Sequence, residues 1–108
     1  MKIRFYVSAS GRVPVADYLR ELPTDRAEPV YAALKDLGLH GLEGAEVKAR
    51  HIEGKLWELK FSIDRVFYVV VTGPEMVLLH AYKKQGQKAP PRELEVARKR
   101  MRETLGKD

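Results

Sequence analysis

Four cationic side chains stand at the ends of three apolar segments in the second half of the chain: Lys60, Arg65, Lys83 and Lys84. The segments have the pattern of consecutive strands joined by tight turns, so these positions can converge on one edge of an antiparallel sheet. An arginine fork can hold two phosphate oxygens, and a lysine supplies a point charge or, when neighbouring cations lower its pKa, a proton. The pattern predicts a phosphate-binding pocket, and the alternative is a set of strand-end charges in solvent.

The positive charge of the chain lies in its second half. The 108 residues carry a formal net charge of +5, with 6 Lys/Arg against 7 Asp/Glu in residues 1–47 and 14 against 8 in residues 48–108. This asymmetry favours a polyanionic partner that binds one basic face, and the alternative is a well-solvated basic surface. Cysteine is absent, which excludes disulfides, thiol nucleophiles and cysteine metal sites and is compatible with a reducing compartment.

Length and composition are those of one folded domain over residues 1–108. The hydrophobic fraction of 44% and the charged fraction of 32% are ordinary for a globular protein. No apolar run reaches the length of a membrane span, and the N-terminus alternates like a strand, unlike the apolar core of a signal peptide. We therefore expect a cytoplasmic domain without membrane contact.

Apolar periodicity in the first half predicts one strand and two helices. Residues 2–8 alternate as in a half-buried strand, and Pro14 is suited to the first turn of a helix. Ala16, Leu19 and Leu22 would face inward from that helix. The predicted elements are a strand at residues 2–8, a helix at residues 14–22, a second helix from Thr24 or Asp25 to Gly38, and a loop at residues 39–44.

The second half predicts a three-stranded antiparallel meander and a terminal helix, which makes the fold class α+β. The middle strand is apolar on both faces and belongs at the centre of the sheet. Trp57 shares a strand face with Leu59 and Phe61, which favours core packing over stacking on a base. The predicted elements are strands at residues 55–61, 65–72 and 76–82, a polar linker at residues 83–89, and a helix from Pro91 to about Leu105 with the inner stripe Leu94, Ala97, Met101 and Leu105.

Four segments match one protein family together, in order and in spacing. They are Gly54-Lys55-Leu56-Trp57-Glu58-Leu59-Lys60, Asp64-Arg65-Val66-Phe67-Tyr68, Leu78-Leu79-His80-Ala81-Tyr82-Lys83-Lys84 and Pro91-Arg92-Glu93-Leu94-Glu95-Val96-Ala97. Together they resemble the HigB-like, phage-derived branch of the RelE/ParE toxins over about half of the chain. The resemblance implies a RelE-like toxin whose sheet cradles mRNA in the ribosomal decoding site, neutralised by an antitoxin that usually carries a helix-turn-helix domain.

The chemistry that the resemblance implies is metal-free RNA cleavage. A 2′-hydroxyl can attack the adjacent phosphate, so the protein needs only to orient the groups, move two protons and stabilise negative charge. Arg65 and Lys84 would bind the phosphate with Lys60 and Lys83 in support, without cofactor or metal, and Arg65 is expected to be an exposed strand-end residue. Further contacts to mRNA and ribosomal RNA are expected from Lys55, Tyr82, Lys88, Arg98 and Arg102.

The match departs from the family at the residues that would transfer protons. Glu58 stands where RelE proper has a basic side chain, and no tyrosine near residues 87–91 corresponds to the one that RelE carries there. We interpret Glu58 as an ion-pair partner of Lys60 or Arg65, with a role as base as the alternative, and Tyr82 either packs under the terminal helix or stacks on a base. The general base is unassigned.

The three histidines of the chain do not form a metal-ligand pattern. His80 lies within an apolar strand and is interpreted as a core or sheet-face residue. His51 precedes the Gly54 turn and could reach the site, whereas His40 is expected to be exposed.

Two other functions remain compatible with the residues. A ParE-like protein would inhibit a target such as DNA gyrase without catalysis, and a phage-derived relic would keep the fold and RNA affinity alone. One scaffold hosts both kinds of activity in this superfamily, so the fold does not decide between them.

Overall fold

The chain folds into a mixed sheet with helices on both faces. The computed structural model describes residues 1–106, in which the elements are β1 (Lys2–Phe5), α1 (Pro14–Arg20), α2 (Thr24–Gly44), β2 (Lys48–Glu53), β3 (Leu56–Lys60), β4 (Asp64–Val71), β5 (Glu75–Lys83) and α3 (Pro91–Leu105). The strand order is β1-β5-β4-β3-β2, with β1 parallel to β5 and the other neighbours antiparallel. The α+β class is confirmed, and β2 is a strand that the sequence did not predict.

The central strand β4 contributes apolar side chains to both faces of the sheet, as its continuous apolar run predicts. One face, here called the α1/α2 face, carries Val66 and Tyr68 and packs against the two N-terminal helices. The opposite face, the α3 face, carries Phe67 and Val69 and packs against Ala97 of α3. Two apolar layers therefore stabilise the fold, one on each side of the sheet.

The helices cover the sheet unevenly. Their contacts are mainly with β1, β4 and β5, so β2 and β3 carry less helical cover. Trp57 on β3 is therefore 38% exposed, and its ring lies beside that of His51 with the centroids 5.0 Å apart. The prediction that Trp57 packs in the core is wrong, because the alternation of a strand identifies the face but not whether a helix covers it.

The helix α2 is longer than predicted, because Gly38 does not end it. The N-terminal ammonium of Met1 donates to the carbonyl oxygens of Leu37 (3.3 Å) and Gly38 (2.9 Å). The carboxyl-terminal end of a helix dipole favours a positive charge at this place. The helix instead breaks at Gly41, whose φ of 72° lies in the left-handed region. The predicted loop at residues 39–44 is thus largely helical.

Three smaller expectations are corrected. The first strand ends at Phe5 because the chain turns at Ser8, whose N–H donates to the carbonyl of Arg12 (2.8 Å). On α1, Val15 is buried where Ala16 was expected, and Leu105 is 37% exposed because α3 ends there.

None of the helices within residues 1–106 is long and apolar enough to cross a bilayer.

Candidate functional site

The α3 face carries a row of polar side chains where the sheet has little helical cover. Directly opposite residues of antiparallel strands project to the same face. Lys60 on β3 lies opposite Arg65 on β4 and Lys48 on β2, and Arg65 lies opposite Tyr82 on β5. The register therefore places Lys60 and Arg65 side by side, as their positions around one tight turn predict.

Glu58 lies at the centre of this row and is fully buried. Its Oε1 accepts a hydrogen bond from Arg50 Nη2 (2.8 Å), and its Oε2 accepts one from the Tyr82 hydroxyl (2.6 Å). Arg65 Nε lies 4.0 Å from Oε1. A buried carboxylate is stable only when paired, and here two guanidiniums surround it, so the cluster is positive overall. Glu58 is thus an ion-pair partner, but its main partner is Arg50 and not, as the sequence predicted, Lys60 or Arg65.

Tyr82 packs in the apolar layer beneath α3, and 4% of it is exposed. Its ring stacks on Phe67 with the centroids 5.3 Å apart. Burial, followed by the hydrogen bond to Glu58, raises the pKa of Tyr82 well above its ordinary value, so its hydroxyl remains a donor at neutral pH. Of the two readings of Tyr82, the structure favours packing under the terminal helix.

Arg65 is buried, and the expectation that it is an exposed strand-end residue is wrong. Its exposed fraction is 7%, and its Nη1 donates to the carbonyl oxygens of Phe61 (2.5 Å) and Asp64 (3.1 Å). The guanidinium thus folds back over the turn between β3 and β4 and satisfies main-chain acceptors there. A substitution of Arg65 will therefore affect stability as well as any role in binding.

The two lysines at the end of β5 do not share a face with Arg65. Lys83 lies opposite Asp64, whose side chain is bound on the α1/α2 face, so Lys83 projects to that side. Lys84 is exposed just past the strand, where its N–H donates to the carbonyl of Ile63 (2.7 Å). The predicted convergence at one end of the sheet is correct, but the four cations divide between its two faces.

The other predicted RNA contacts are spread over the surface. Lys55 is exposed in the turn before β3, at the opposite end of that strand from Lys60, and Lys88 is exposed in the linker before α3. Arg102 is exposed on α3, whereas Arg98 donates two hydrogen bonds to Glu53 of β2 (2.7 and 2.8 Å). That paired contact raises the pKa of Arg98 and attaches α3 to the edge of the sheet.

A second buried carboxylate lies on the other side of the sheet. Asp64 Oδ1 and Oδ2 accept hydrogen bonds from Arg26 Nη2 (2.7 Å) and Nε (3.0 Å), and Oδ1 also accepts one from the Tyr18 hydroxyl (2.5 Å). Burial alone would raise the pKa of Asp64, but the hydrogen bonds from Arg26 and Tyr18 outweigh it and lower that pKa below its ordinary value. This cluster ties α1 and α2 to β4.

His80 is a sheet-face residue, as interpreted from the sequence. Its Nε2 lies 2.6 Å from Glu93 Oε1, and Arg100 Nη1 donates toward Nδ1 at 3.3 Å, which together assign a neutral ring protonated on Nε2. Burial lowers the pKa of His80 despite the opposing effect of the hydrogen bond that its Nε2 donates to Glu93. His51 lies opposite Trp57, away from Glu58, and His40 is exposed beside Asp36. Residues 1–106 contain no group of three or more His, Cys, Asp or Glu side chains arranged to hold a metal ion.

Arg50 is the residue of this cluster that sequence reasoning missed. It lies on β2, an edge strand whose residues are mostly exposed or half-buried, so no apolar run marks it. The available signal was the alternation of Lys48 and Arg50 with Ala49 and His51 immediately before the Gly54 turn. That pattern is too short and too polar to identify a strand alone.

Comparison with known proteins gives one match to a family. The model of the family described as "Phage derived protein Gp49-like (DUF891)" matches residues 17–102, which include α2, β2 to β5 and most of α1 and α3. No curated protein matches the chain.

Proposed function

The chain belongs to the Gp49-like family of phage-derived proteins, within the RelE/ParE-like toxin superfamily, and on that premise we propose that it is the toxin of a type II toxin-antitoxin system. Its proposed activity is ribosome-dependent, metal-independent cleavage of mRNA, which inhibits translation. A HigB-like placement within the superfamily belongs to the same proposal.

One observation carries the proposal: Lys60 and Arg65 lie directly opposite each other beside the Arg50–Glu58 pair, on the sheet face with little helical cover. Such a group of cations matches a phosphate whose charge increases in the transition state. In the proposed step the 2′-oxygen forms a bond to phosphorus and the bond to the 5′-oxygen breaks. The 2′-proton passes to a base, and the 5′-oxygen takes up a proton.

The hydrogen bonds within the protein limit which side chains can transfer those protons. Glu58 is committed to Arg50 and Tyr82, and the Tyr82 hydroxyl is committed to Glu58. Lys60 is half-buried and Lys84 is exposed at the same end of the sheet, so these two lysines remain the candidates for proton transfer and for support of the phosphate. Lys83 would act from the other face, as a contact to the RNA backbone.

The proposed partners are mRNA on the ribosome, ribosomal RNA and a helix-turn-helix antitoxin, and the proposed location is the cytoplasm. Exposed cations on the linker and α3, including Lys88 and Arg102, would contact ribosomal RNA phosphates. Lys55 would contact RNA at the far end of β3. Arg98 would do so only if it released Glu53, which it binds with two hydrogen bonds.

The test is cleavage of a defined mRNA in a reconstituted translation reaction. The toxin is first stripped with chelator and its metal content measured, because the ribosome itself requires magnesium. We expect new 5′ ends within ribosome-bound mRNA and none in mRNA without ribosomes. Intact mRNA, or activity that only zinc or manganese restores, would refute the proposed reaction.

One observation favours a non-enzymatic inhibitor of a target such as DNA gyrase, or a relic that binds RNA without cleaving it. Arg65 binds two main-chain carbonyls and is 7% exposed, which suits a structural role. Pulse labelling after induction without antitoxin separates these functions. The nuclease predicts that protein synthesis falls first, whereas a gyrase inhibitor stops DNA synthesis first and leaves mRNA intact.

A further inference from the structure

Arg50 has donors that the protein does not use. Its Nη2 donates to Glu58, and its Nη1 makes a long hydrogen bond of 3.3 Å to the carbonyl of Gln87 in the linker before α3. Its Nε is the one buried side-chain nitrogen or oxygen within residues 1–106 that lacks a hydrogen-bond partner. An arginine carries five N–H donors, and leaving a buried one unpaired is costly.

The neighbouring arginines are more fully engaged. Arg65 donates to two carbonyl oxygens and is almost completely buried, and Arg98 holds both oxygens of Glu53. The Arg50 side chain is 36% exposed, close to the 34% of Arg98, but the nitrogens of Arg98 face the carboxylates of Glu53 and Glu95. Of the three, Arg50 is therefore the exposed guanidinium with a nitrogen, Nη1, that no carboxylate holds.

The surroundings of Arg50 favour an anion. Lys48 lies opposite Lys60, two positions along β2 and β3 from the pair of Arg50 and Glu58. Both lysines therefore project to the same face as Arg50. The same two lysines border a groove of about 340 Å³ beside α2, which Asp36 and Glu46 also line, so we assign the anion to the α3 face and not to this groove. On the α3 face Glu58 is the carboxylate opposite Arg50, and it is bound by Arg50 and Tyr82.

We propose that Arg50 is a phosphate ligand for single-stranded RNA on the α3 face, with Glu58 as the positioning residue that holds its guanidinium. A backbone phosphate replaces the Gln87 carbonyl at Nη1, where the existing contact is exposed, while Nη2 stays on Glu58. Lys48 and Lys60 then bind the next phosphate along the strand. This inference rests on the proposed function, to which it adds a residue from β2.

The first experiment measures binding of a short 2′-O-methyl RNA oligonucleotide, which cannot be cleaved because its 2′-hydroxyls are blocked. Arg50→Gln should weaken binding about tenfold to a hundredfold, the value of one charge-assisted hydrogen bond, and reduce the salt dependence by about 0.7 in log–log slope. Glu58→Gln should bind as tightly as wild type or more tightly, because its amide oxygen can still accept from Arg50 Nη2 while the competing negative charge is removed. Arg20→Gln, on the opposite side of the sheet, should bind as wild type.

Arg50→Lys separates a binding defect from a folding defect. The lysine keeps a positive charge beside Glu58, so the thermal midpoint should stay close to wild type while RNA affinity falls. If Arg50→Gln and Glu58→Gln weakened binding equally and lowered the thermal midpoint in parallel, Arg50 would be a structural partner only. Unchanged affinity and salt slope in Arg50→Gln, or no binding by wild type, would also overturn the assignment.

Cleavage in the reconstituted translation reaction then separates this inference from the proposed function. Wild type that cleaves, with Arg50→Gln slowed at least tenfold, supports both. Equal cleavage by wild type and Arg50→Gln overturns the role of Arg50 alone. Wild type that binds the oligonucleotide through Arg50 but leaves ribosome-bound mRNA intact keeps the phosphate site and refutes the nuclease.

Discussion

The sheet carries two buried carboxylates, each bound by one arginine and one tyrosine, and they differ in how the arginine holds the carboxylate. Arg26 places two N–H groups on the two oxygens of Asp64, and Tyr18 completes the cluster beneath α1 and α2. Arg50 places one N–H on Glu58, and its Nε has no partner among the described residues 1–106. We call the first, bidentate cluster closed and the second, single-contact cluster open.

The difference follows from where the helices lie. Asp64 is on the face that α1 and α2 cover, so its partners come from those helices and its charge is fully compensated. Glu58 is on the face that α3 covers in part, so its partners come from other strands, Arg50 from β2 and Tyr82 from β5. A buried carboxylate on an arginine does not by itself mark a functional site; Glu58 differs in that its arginine holds it through one N–H and lies on a strand with little helical cover.

The largest effect is expected from Phe67→Ala, which removes the ring beneath the Glu58 cluster. Phe67 is fully buried, lies opposite Glu58 and stacks on Tyr82, so its loss should cost about 3–5 kcal/mol in free energy of unfolding. Chemical denaturation measures this cost. Tyr31→Ala, an aromatic that is 48% exposed on α2, is the control and should cost far less. Comparable losses in the two variants would mean that the open cluster does not rest on a packed core.

Arg65→Ala should slow mRNA cleavage about a hundredfold to a thousandfold, the cost of one electrostatic contact to a transition state. Because Arg65 is buried and holds the Phe61 and Asp64 carbonyls, we expect its thermal midpoint to fall as well. Arg65→Lys should recover part of the stability but not the full rate. Cleavage by folded Arg65→Ala at close to the wild-type rate would remove Arg65 from the active site and leave Arg50 as the arginine there.

Asp64→Asn should lower the free energy of unfolding by about 1.5–3 kcal/mol, since it replaces the charged acceptor of three hydrogen bonds with a neutral amide. RNA affinity of the folded protein should not change, in contrast with variants of Arg50. Equilibrium denaturation and oligonucleotide titration on the same sample measure both quantities. A selective loss of RNA affinity in Asp64→Asn would contradict the assignment of this cluster to structure alone.

The smallest effects are in the pH dependence of stability. Asp64 has a lowered pKa in the folded state, so its contribution is present above its unfolded value of about 4 and is lost as the pH falls through the folded pKa. Tyr18 and Tyr82 have raised pKa values, so their contributions are present below about 10 and are lost above it. Asp64→Asn should flatten the acid side of the profile, and Tyr82→Phe should flatten part of the alkaline side. An acid side that Asp64→Asn leaves unchanged would show that another carboxylate controls it.

Much of the fold is predictable from the sequence because its long elements have a strong apolar pattern. Strands β3, β4 and β5 are bounded by turn residues, and α3 begins at a proline. Edge strand β2 was not predicted because exposed strands lack that pattern. At Gly38 the local sequence does not reveal a distant partner, the ammonium of Met1, which binds the carbonyl there. Local sequence therefore identifies elements with a buried side better than those stabilised by distant partners.

The candidate site is predictable in part for the same reason. The pairing of Lys60 with Arg65 follows from the turn between them, but the burial of Arg65 depends on how its guanidinium folds over that turn. Lys83 and Arg65 project to opposite faces of the sheet because Lys83 lies opposite Asp64. The spacing along the chain does not reveal this register. Arg50 could not be included at all, because the strand that carries it was not predicted.

The central claim, that the open carboxylate cluster and not the closed one binds RNA, is tested most directly by observing the two arginines. The Nε–H signals of Arg50 and Arg26 can be followed in a ¹⁵N–¹H correlation spectrum while the 2′-O-methyl RNA oligonucleotide is added. Our account predicts that the Arg50 signal shifts with occupancy and that the Arg26 signal stays in place. A shift of Arg26 with Arg50 unmoved, or no shift of either at saturating RNA, would contradict it.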